Sequence, residues 1–325
     1  MLCYVTVFLQ AWRGQYTTWK NDTLATEFIL LGFLTNKQSL LFGIFLFSYI
    51  FTFIGNLTII LIVTVDPVLQ SPMYLFLRSL SITEIFYVSN TVPRMLRDFL
   101  HQNKAISIIG CATQFYFFCF LGATECFTLT FMAYDRYVAI CHPLHYMNIM
   151  TKTRCLYMLL VSWMVGLVLP LGNSIDVFGL PFCKSNIIDH FFCEILQVMP
   201  LACADTHINE LYIVVHTFVV IPLPFILIFV SYVRILRAVL KIHSTTGRKR
   251  TFSTCGSHLI SVSLFFGSAT ITYLRTKAIN SSGGGKVLSL MFLVLVPMLN
   301  PLIYSLRNTA FKNSIKRLFT RLFFL

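Results

Sequence analysis

Three sets of residues in this chain have types and spacing that could do chemistry. Asp135 and Arg136 stand together in MAYDRYVAIC, 132–141, at the end of an apolar stretch. A half-buried guanidinium needs a partner, and the adjacent carboxylate is the nearest one. Such a pair is bistable: closed on itself, or opened so that Arg136 faces a docked protein. An interfacial anchor, with Arg136 snorkelling to headgroups, uses the same residues. Glu84 and Glu125 lie alone in apolar surroundings, where an ionised carboxylate costs roughly 2.5–3.5 kcal/mol. Each needs a cation, a hydrogen-bonding partner or a proton. The two together could hold a sodium ion, and two protonated, hydrogen-bonded carboxyls would meet the same need. The third set is ten cysteines. No nucleophile–base pair, P-loop or dinucleotide fingerprint accompanies them, so the reading is of a protein that is not an enzyme.

The elements that must position these residues follow from where charge is absent. The chain has 325 residues, 57% hydrophobic and 11% charged, against roughly 25% charged in soluble domains. It cannot cover a soluble surface, and it is too apolar for disorder. Six windows hold no Asp, Glu, Lys or Arg: 38–65, 105–124, 155–175, 211–233, 251–274 and 287–306. Each suits a helix crossing a hydrocarbon core, which takes about 20 residues. A seventh segment, 73–93, holds Arg78 and Glu84 but matches the others in flanks and spacing. The fold class expected is therefore an all-α membrane protein with seven spans. Residues 1–39 form an outer segment, 40–306 the bundle and 307–325 a cytoplasmic tail.

One set of loops with the tail carries 14 Lys/Arg against Asp66 and Asp135; the other set with the N-terminal segment carries 10 against eight acids. Basic residues favour the cytoplasmic side, which places the N-terminus outside. The net charge of +13 then sits mostly beside anionic lipid, with no nucleic acid required. The first 20 residues lack a basic start and a long apolar run, so the first span is expected to act as the insertion signal.

The last span ends PMLNPLIYSLRN, 297–308. Pro301 removes a backbone hydrogen bond inside that helix, Asn300 can satisfy the freed groups, and Tyr304 lies one turn further in. Gly55-Asn56 places another amide in the first span, and Trp163 an indole in the fourth. Beyond Arg307, Phe311, Ile315, Leu318 and Phe319 alternate with Lys312, Lys316 and Arg317 as in a short amphipathic surface helix. The DRY, NPLIY and GN residues resemble the rhodopsin-like G-protein-coupled receptors. PMYLFL (72–77), MAYDRYVAICHPLHY (132–146), SY (231–232), TFSTCGSHL (251–259) and LPFC…HFFCE…LAC (180–203) narrow the resemblance to the olfactory, or odorant, receptors of the tetrapod type. It covers about residues 21–320. Departures are an N-terminal extension and Glu84, where the family usually has Asp.

Cys111, Cys183, Cys193 and Cys203 fall on the outer, oxidising side, and four cysteines allow three connectivities. The resemblance implies Cys111–Cys193 and Cys183–Cys203. Cys3, Cys119, Cys126, Cys141, Cys155 and Cys255 are read as free. A zinc site with His190 beside Cys193 is set aside, because the resemblance already uses that cysteine. Asn21-Asp22-Thr23 is a glycosylation sequon; Asn280-Ser281-Ser282 also matches, close to the bilayer, and Asn56-Leu57-Thr58 matches inside a span.

Phe118 precedes Arg136 by 18 residues, about 27 Å of helix, which puts it near the outer end of the hydrocarbon. Phe115, Phe118, Cys119 and Gly122 share one face; that stripe suits a cavity wall and suits plain packing equally. By resemblance, the other walls of a ligand cavity come from Ile213, His216, Phe266, Ala269, Tyr273 and Leu290, with His216, Tyr273 and Thr270 placed to orient one oxygen function. The resemblance also puts Glu84 where related receptors hold sodium and implies no other cofactor. It makes Asp135, Arg136, Tyr232, His258, Asn300, Pro301 and Tyr304 the G-protein switch, with His258 facing Arg136 or Tyr232. The partners implied are a small hydrophobic odorant, a heterotrimeric G protein of the stimulatory olfactory type acting through cAMP, and membrane lipid. The location implied is the plasma membrane of sensory cilia. A receptor of this family serving outside the nose would have the same sequence. A transporter or channel would need paired repeats or a charged path, and a retinal protein a lysine inside the last span, which 287–306 lacks.

Overall fold

Each charge-free window is mainly helical over its described residues in the computed structural model, which describes residues 25–33, 37–183, 185–241, 244–273, 284–307 and 309–323. For some helical residues, Arg250, Tyr273, Arg307, Leu318 and Phe319 among them, only the backbone is described. Cys3 and the sequons at Asn21 and Asn280 lie outside the described residues. Among the described residues, the α-helices longer than four residues are α1 (Gln38–Val65), α2 (Pro72–Leu100), α3 (Ile108–Cys141), α4 (Lys152–Phe178), α5 (His207–Val220), α6 (Pro222–Leu240), α7 (Thr245–Tyr273), α8 (Gly284–Leu290), α9 (Val296–Arg307) and α10 (Thr309–Phe323). α5 and α6 make one span, interrupted at Ile221 because Pro222 brings no N–H to the helix. α8 and α9 make another, joined by a π-helical turn, Met291–Leu295.

Among the described residues, six segments are long and apolar enough to cross a membrane: α1, α3, α4, α5 with α6, the part of α7 from Cys255 to Thr272, and Gly285–Ser305. α2 has 29 residues and completes seven, its apolar character diluted by Arg78 and Glu84. Local chemistry sets the helix ends. Ser107 Oγ accepts from Gly110 N (3.0 Å) at the start of α3, and Thr151 Oγ1 accepts from Arg154 N (3.4 Å) at the start of α4. Pro67 stops α1 and Pro72 opens α2.

The bundle is inside-out relative to a soluble protein. Phe47 is 67% exposed, as are many large apolar groups on the outward faces, while Glu84, Glu125, Thr124 and Thr128 are fully buried. Lipid accepts the former, and only the interior can satisfy the latter. Small residues set the closest approaches. A Cβ at Gly166 of α4 would stand 2.2 Å from Thr124 Oγ1 and 2.8 Å from the Phe120 carbonyl of α3. One at Gly55 of α1 would meet Pro301 of α9 at 3.0 Å.

A three-stranded sheet caps the end that the charge bias places outside. β1 (Glu27–Leu30) lies between β2 (Ala105–Ser107) and β3 (Ile187–Ile188). β1 pairs antiparallel with β2, Phe28 opposite Ile106, and parallel with β3, Leu30 opposite Ile188. Phe28, Leu30 and Ile188 are wholly buried. Lys286 Nζ, just below α8's start, donates to Asp189 Oδ1 (2.6 Å) and the Gly32 carbonyl (2.8 Å), so the cap is tied to the last span.

Candidate functional site

The cap and the upper bundle border a partly open cavity of about 80 Å³. α3 supplies one wall through Phe115, Phe118, Cys119, Gly122, Ala123 and Cys126. α5 supplies Ile213, His216, Thr217 and Val220, and α7 supplies Phe265 and Ala269. Tyr87 of α2, Asn173 of α4, Phe292 of the π turn, and Ile195 and Leu196 of the loop before α5 close it. Phe118 is held at the aromatic centre, with ring centroids 5.1 Å from Phe192, 5.6 Å from Tyr87 and 5.9 Å from Phe292. Seven of the expected lining residues are thus together: Phe115, Phe118, Cys119, Gly122, Ile213, His216 and Ala269.

Two others are displaced by helix phase. Phe266 faces away, packing on Phe225 of α6 at 5.7 Å; its neighbour Phe265 takes the wall, since one residue turns an α-helix by about 100°. Leu290 packs beside the cavity's aromatic cluster, and Phe292 lines the wall instead. The π turn that begins at Met291 holds an extra residue per turn and changes the face its side chains present. The side chain of Tyr273 lies outside the described residues, and Thr270 is not on the cavity wall. Asn173 was not foreseen. Its signal was an amide inside a charge-free window, which must find a partner or line a polar space.

The cap is pinned to the bundle by covalent and polar links. Cys111 is bonded to Cys193 with Cα atoms 5.5 Å apart, and Cys183 to Cys203 at 5.8 Å, both within the usual disulfide span. With Cys193 so bonded, its thiolate is not available beside His190. Gln114 Oε1 accepts from Cys193 N (3.0 Å), and its amide donates to the Asn90 carbonyl (3.3 Å). This glutamine, joining loop, α3 and α2, was also missed. Cys119, Cys126, Cys141, Cys155 and Cys255 are free thiols.

Below the cavity lies a buried polar belt. Asn300 Nδ2 donates to Glu84 Oε1 in a short contact, and Ser261 Oγ donates to Asn300 Oδ1 at 2.7 Å. Pro301 follows Asn300 and seats against Gly55. Among the described residues, Glu84 Oε2, both oxygens of Glu125 and the Tyr304 hydroxyl have no hydrogen-bond partner. Trp163 Nε1 donates to Ser79 Oγ (3.0 Å), tying α4 to α2 beside the belt.

At the opposite end from the cap, the charged pair is closed. Arg136 Nη2 lies 3.4 Å from Asp135 Oδ2, and the Tyr146 hydroxyl donates to Asp135 Oδ1 at 2.8 Å. Burial first, then the neighbouring Asp135, holds the Tyr146 phenol above its ordinary range. His258 meets Tyr232, not Arg136. Its Nε2 is 3.0 Å from the Leu129 carbonyl, which can only accept, so Nε2 carries the proton and Nδ1 accepts from Tyr232 Oη at 2.7 Å. One histidine of α7 therefore clasps α3 and α6 together. Nearby, Arg317 of α10 donates to Asp66 Oδ2 (2.7 Å) and Ser314 Oγ (2.8 Å). The hydrogen bond from Arg317 is the main reason the Asp66 carboxyl is lowered to about 2.

A seven-helix membrane bundle with a cavity toward one end and a hydrogen-bonded clasp at the other has the anatomy of a signalling receptor. Residues 45–322 match the family described as olfactory receptor. The chain is 48% identical over 304 residues to human olfactory receptor 10A7, covering 93% of this chain and 96% of that protein. It is 49% identical over 299 residues to human olfactory receptor 10C1, covering 91% and 96%, and 50% identical over 283 residues to human olfactory receptor 10A2, covering 87% and 93%. The chain belongs to the olfactory receptor family: a multi-pass membrane receptor for odorants that works through G proteins, and not an enzyme.

Proposed function

We propose that a small hydrophobic odorant binds the cavity between α3, α5 and α7, and that the bundle then couples the stimulatory olfactory G protein and raises cAMP at the ciliary plasma membrane. The observation that carries this reading is the mainly apolar cavity on the same helix, α3, that bears Asp135 and Arg136 at its other end. The mechanism is population shift: the odorant binds the coupling arrangement better than the resting one. α7 moves from α3, the clasp of His258 on Leu129 and Tyr232 opens, and Arg136 leaves Asp135 to meet the G protein. Asn300, Pro301 and Tyr304 relay the motion through the last span. Reversing a 99:1 resting population takes about 5.5 kcal/mol of differential binding. Small odorants have few atoms to supply it, so micromolar potency and partial shifts are expected.

The unpartnered oxygens of Glu84 and Glu125 suit a monovalent cation, and a sodium ion there would hold the resting state. Replacing external sodium with an organic cation should then raise basal cAMP in wild type and leave Glu125→Gln unaffected; a sodium-independent wild type removes the ion from the mechanism.

The direct test of the main reading is a cAMP assay across a varied volatile panel, with surface expression measured in parallel. Phe118→Ala should weaken any agonist by about 10-fold or more, since a buried aromatic contributes ~1.5–3 kcal/mol of contact. An agonist indifferent to that change would place its site elsewhere.

A further inference from the structure

The cavity wall is not uniformly apolar, and two of its polar groups constrain what it can hold. Asn173 of α4 is only 2% exposed, yet its Oδ1 has no hydrogen-bond partner among the described residues. His216 of α5 also lines the cavity, and its Nε2 is buried without a partner among them. Buried polar groups are almost always paired, and an unpaired one costs free energy until something pairs it. Both atoms belong to residues that line the same space. No Asp, Glu, Lys or Arg is among the described residues lining it.

We infer that this receptor is built for neutral hydroxyl-bearing odorants, alcohols or phenols, whose O–H donates to Asn173 Oδ1. The inference rests on the cavity being the odorant site. An amide carbonyl oxygen can only accept, so the ligand group that satisfies it must be a donor. Hydrocarbons, ethers, ketones, aldehydes and esters carry none. Carboxylates and alkylammonium ions would enter without a counter-charge and pay the desolvation cost unaided. A hydroxyl oxygen has accepting capacity left over, and the neutral His216 ring can donate through Nε2 in one tautomer. The remainder of the ligand is limited by space. About 80 Å³ is smaller than the engineered 150 Å³ cavities that take benzene, so the skeleton is compact and the aromatic walls must yield around it. Sites that hydrogen-bond a hydroxyl reject analogues lacking it far more strongly than apolar pockets reject a missing methylene.

The test uses full-length receptor at the surface of cells with a cAMP reporter. The probes are benzyl alcohol, cyclohexanol and hexanol, each beside its methyl ether, its carbonyl analogue and its parent hydrocarbon. At least one alcohol should activate, with its ether and carbonyl partners weaker by about 10- to 100-fold. Asn173→Leu should compress that difference to within about 3-fold by weakening the alcohol alone, and His216→Phe should weaken the alcohol by a smaller factor. The series on wild type needs no substitution, so poor surface delivery of a variant does not decide the matter. Ethers or carbonyl compounds that match the alcohols overturn the inference, as does a surface-expressed receptor that answers none of the alcohols. Agonists without hydroxyl preference that still lose potency in Phe118→Ala would overturn the hydroxyl rule alone and leave the cavity as the odorant site. Agonists indifferent to Phe118→Ala and Asn173→Leu alike would overturn both.

Discussion

The two ends of the bundle solve opposite problems with the same kind of helix. Toward the cap, α3 is lined with aromatic and small residues around open space, and the nearby polar atoms of Asn173 and His216 are left unpaired. Toward the other end, Tyr146 donates to Asp135 of α3, and His258 joins the Leu129 carbonyl of α3 to Tyr232. The outer end is held by covalent staples and leaves its interior incomplete; the inner end is held by a handful of weak bonds. An incomplete interior is what a ligand can finish. A clasp of a few bonds, each worth about 1 kcal/mol net, is what a ligand of limited affinity can open. Receptor behaviour follows from pairing the two: a stapled rim around the space where recognition happens, marginal stability where coupling happens.

The largest expected effect attacks the staples. Replacing Cys111 and Cys193 together with alanine should cost about 2–5 kcal/mol, seen as lost surface delivery and a lower melting temperature of purified receptor. The same change at Cys183 and Cys203 should cost about 1 kcal/mol less. The first bond closes a separation of 82 residues and the second one of 20, and chain-entropy stabilisation grows with the logarithm of loop size. If both pairs can be removed without loss of stability, the outer end is not the stapled half and the contrast collapses.

A smaller effect should appear at the clasp. His258→Phe removes the bond to the Leu129 carbonyl and leaves the Tyr232 hydroxyl unmatched, a change of about 1–2 kcal/mol in the resting state. Basal cAMP should rise by about 5- to 30-fold in receptor normalised for surface level, because α7 is no longer tied to α3. Phe47→Leu, on the lipid-facing surface of α1, should leave basal signalling unaltered. Equal basal shifts in both variants would mean that the clasp is not what holds the resting state.

The sequence carried these two ends unequally, for physical reasons. Spans with no charge announce themselves, since lipid forbids the alternative, and the phase of α3 alone put Phe115, Phe118, Cys119 and Gly122 on one wall. α2 was legible only through its flanks, because Arg78 and Glu84 interrupt it. The wall opposite α3 was less legible. Phe265 and Phe266 are adjacent, and which of them faces inward depends on how α7 is rotated against α6. Phe292 lines the wall because of a π turn that no composition signals. The cap sheet joins segments centred near Phe28, Ile106 and Ile188, and pairing over such separations is set by tertiary packing more than by local preference. Asn173 and Gln114 are single amides in apolar sequence, and only the fold distinguishes the one left unpaired from the one fully used.

The smallest effect concerns how α10 is held against the inner end. Arg317 reaches Asp66 at 2.7 Å, and Asp66 lies beyond the end of α1, outside the hydrocarbon. With the carboxyl lowered to about 2 from an ordinary 3.8, this contact stabilises the docked helix at every pH above about 4 and is lost only as pH falls toward 2. Docking should therefore be flat across the physiological range and weaken in acid. Asp66→Asn should reproduce the acid state at neutral pH, at a cost of no more than about 1 kcal/mol for a partly exposed pair. Hydrogen exchange at the amides of α10 in purified receptor reads this directly, with faster exchange in Asp66→Asn than in wild type at pH about 7 and convergence of the two near pH 2. Equal exchange at neutral pH would show that Phe311, buried at 2% exposure, anchors α10 by apolar contact alone, and that even the inner end relies on more than its polar bonds.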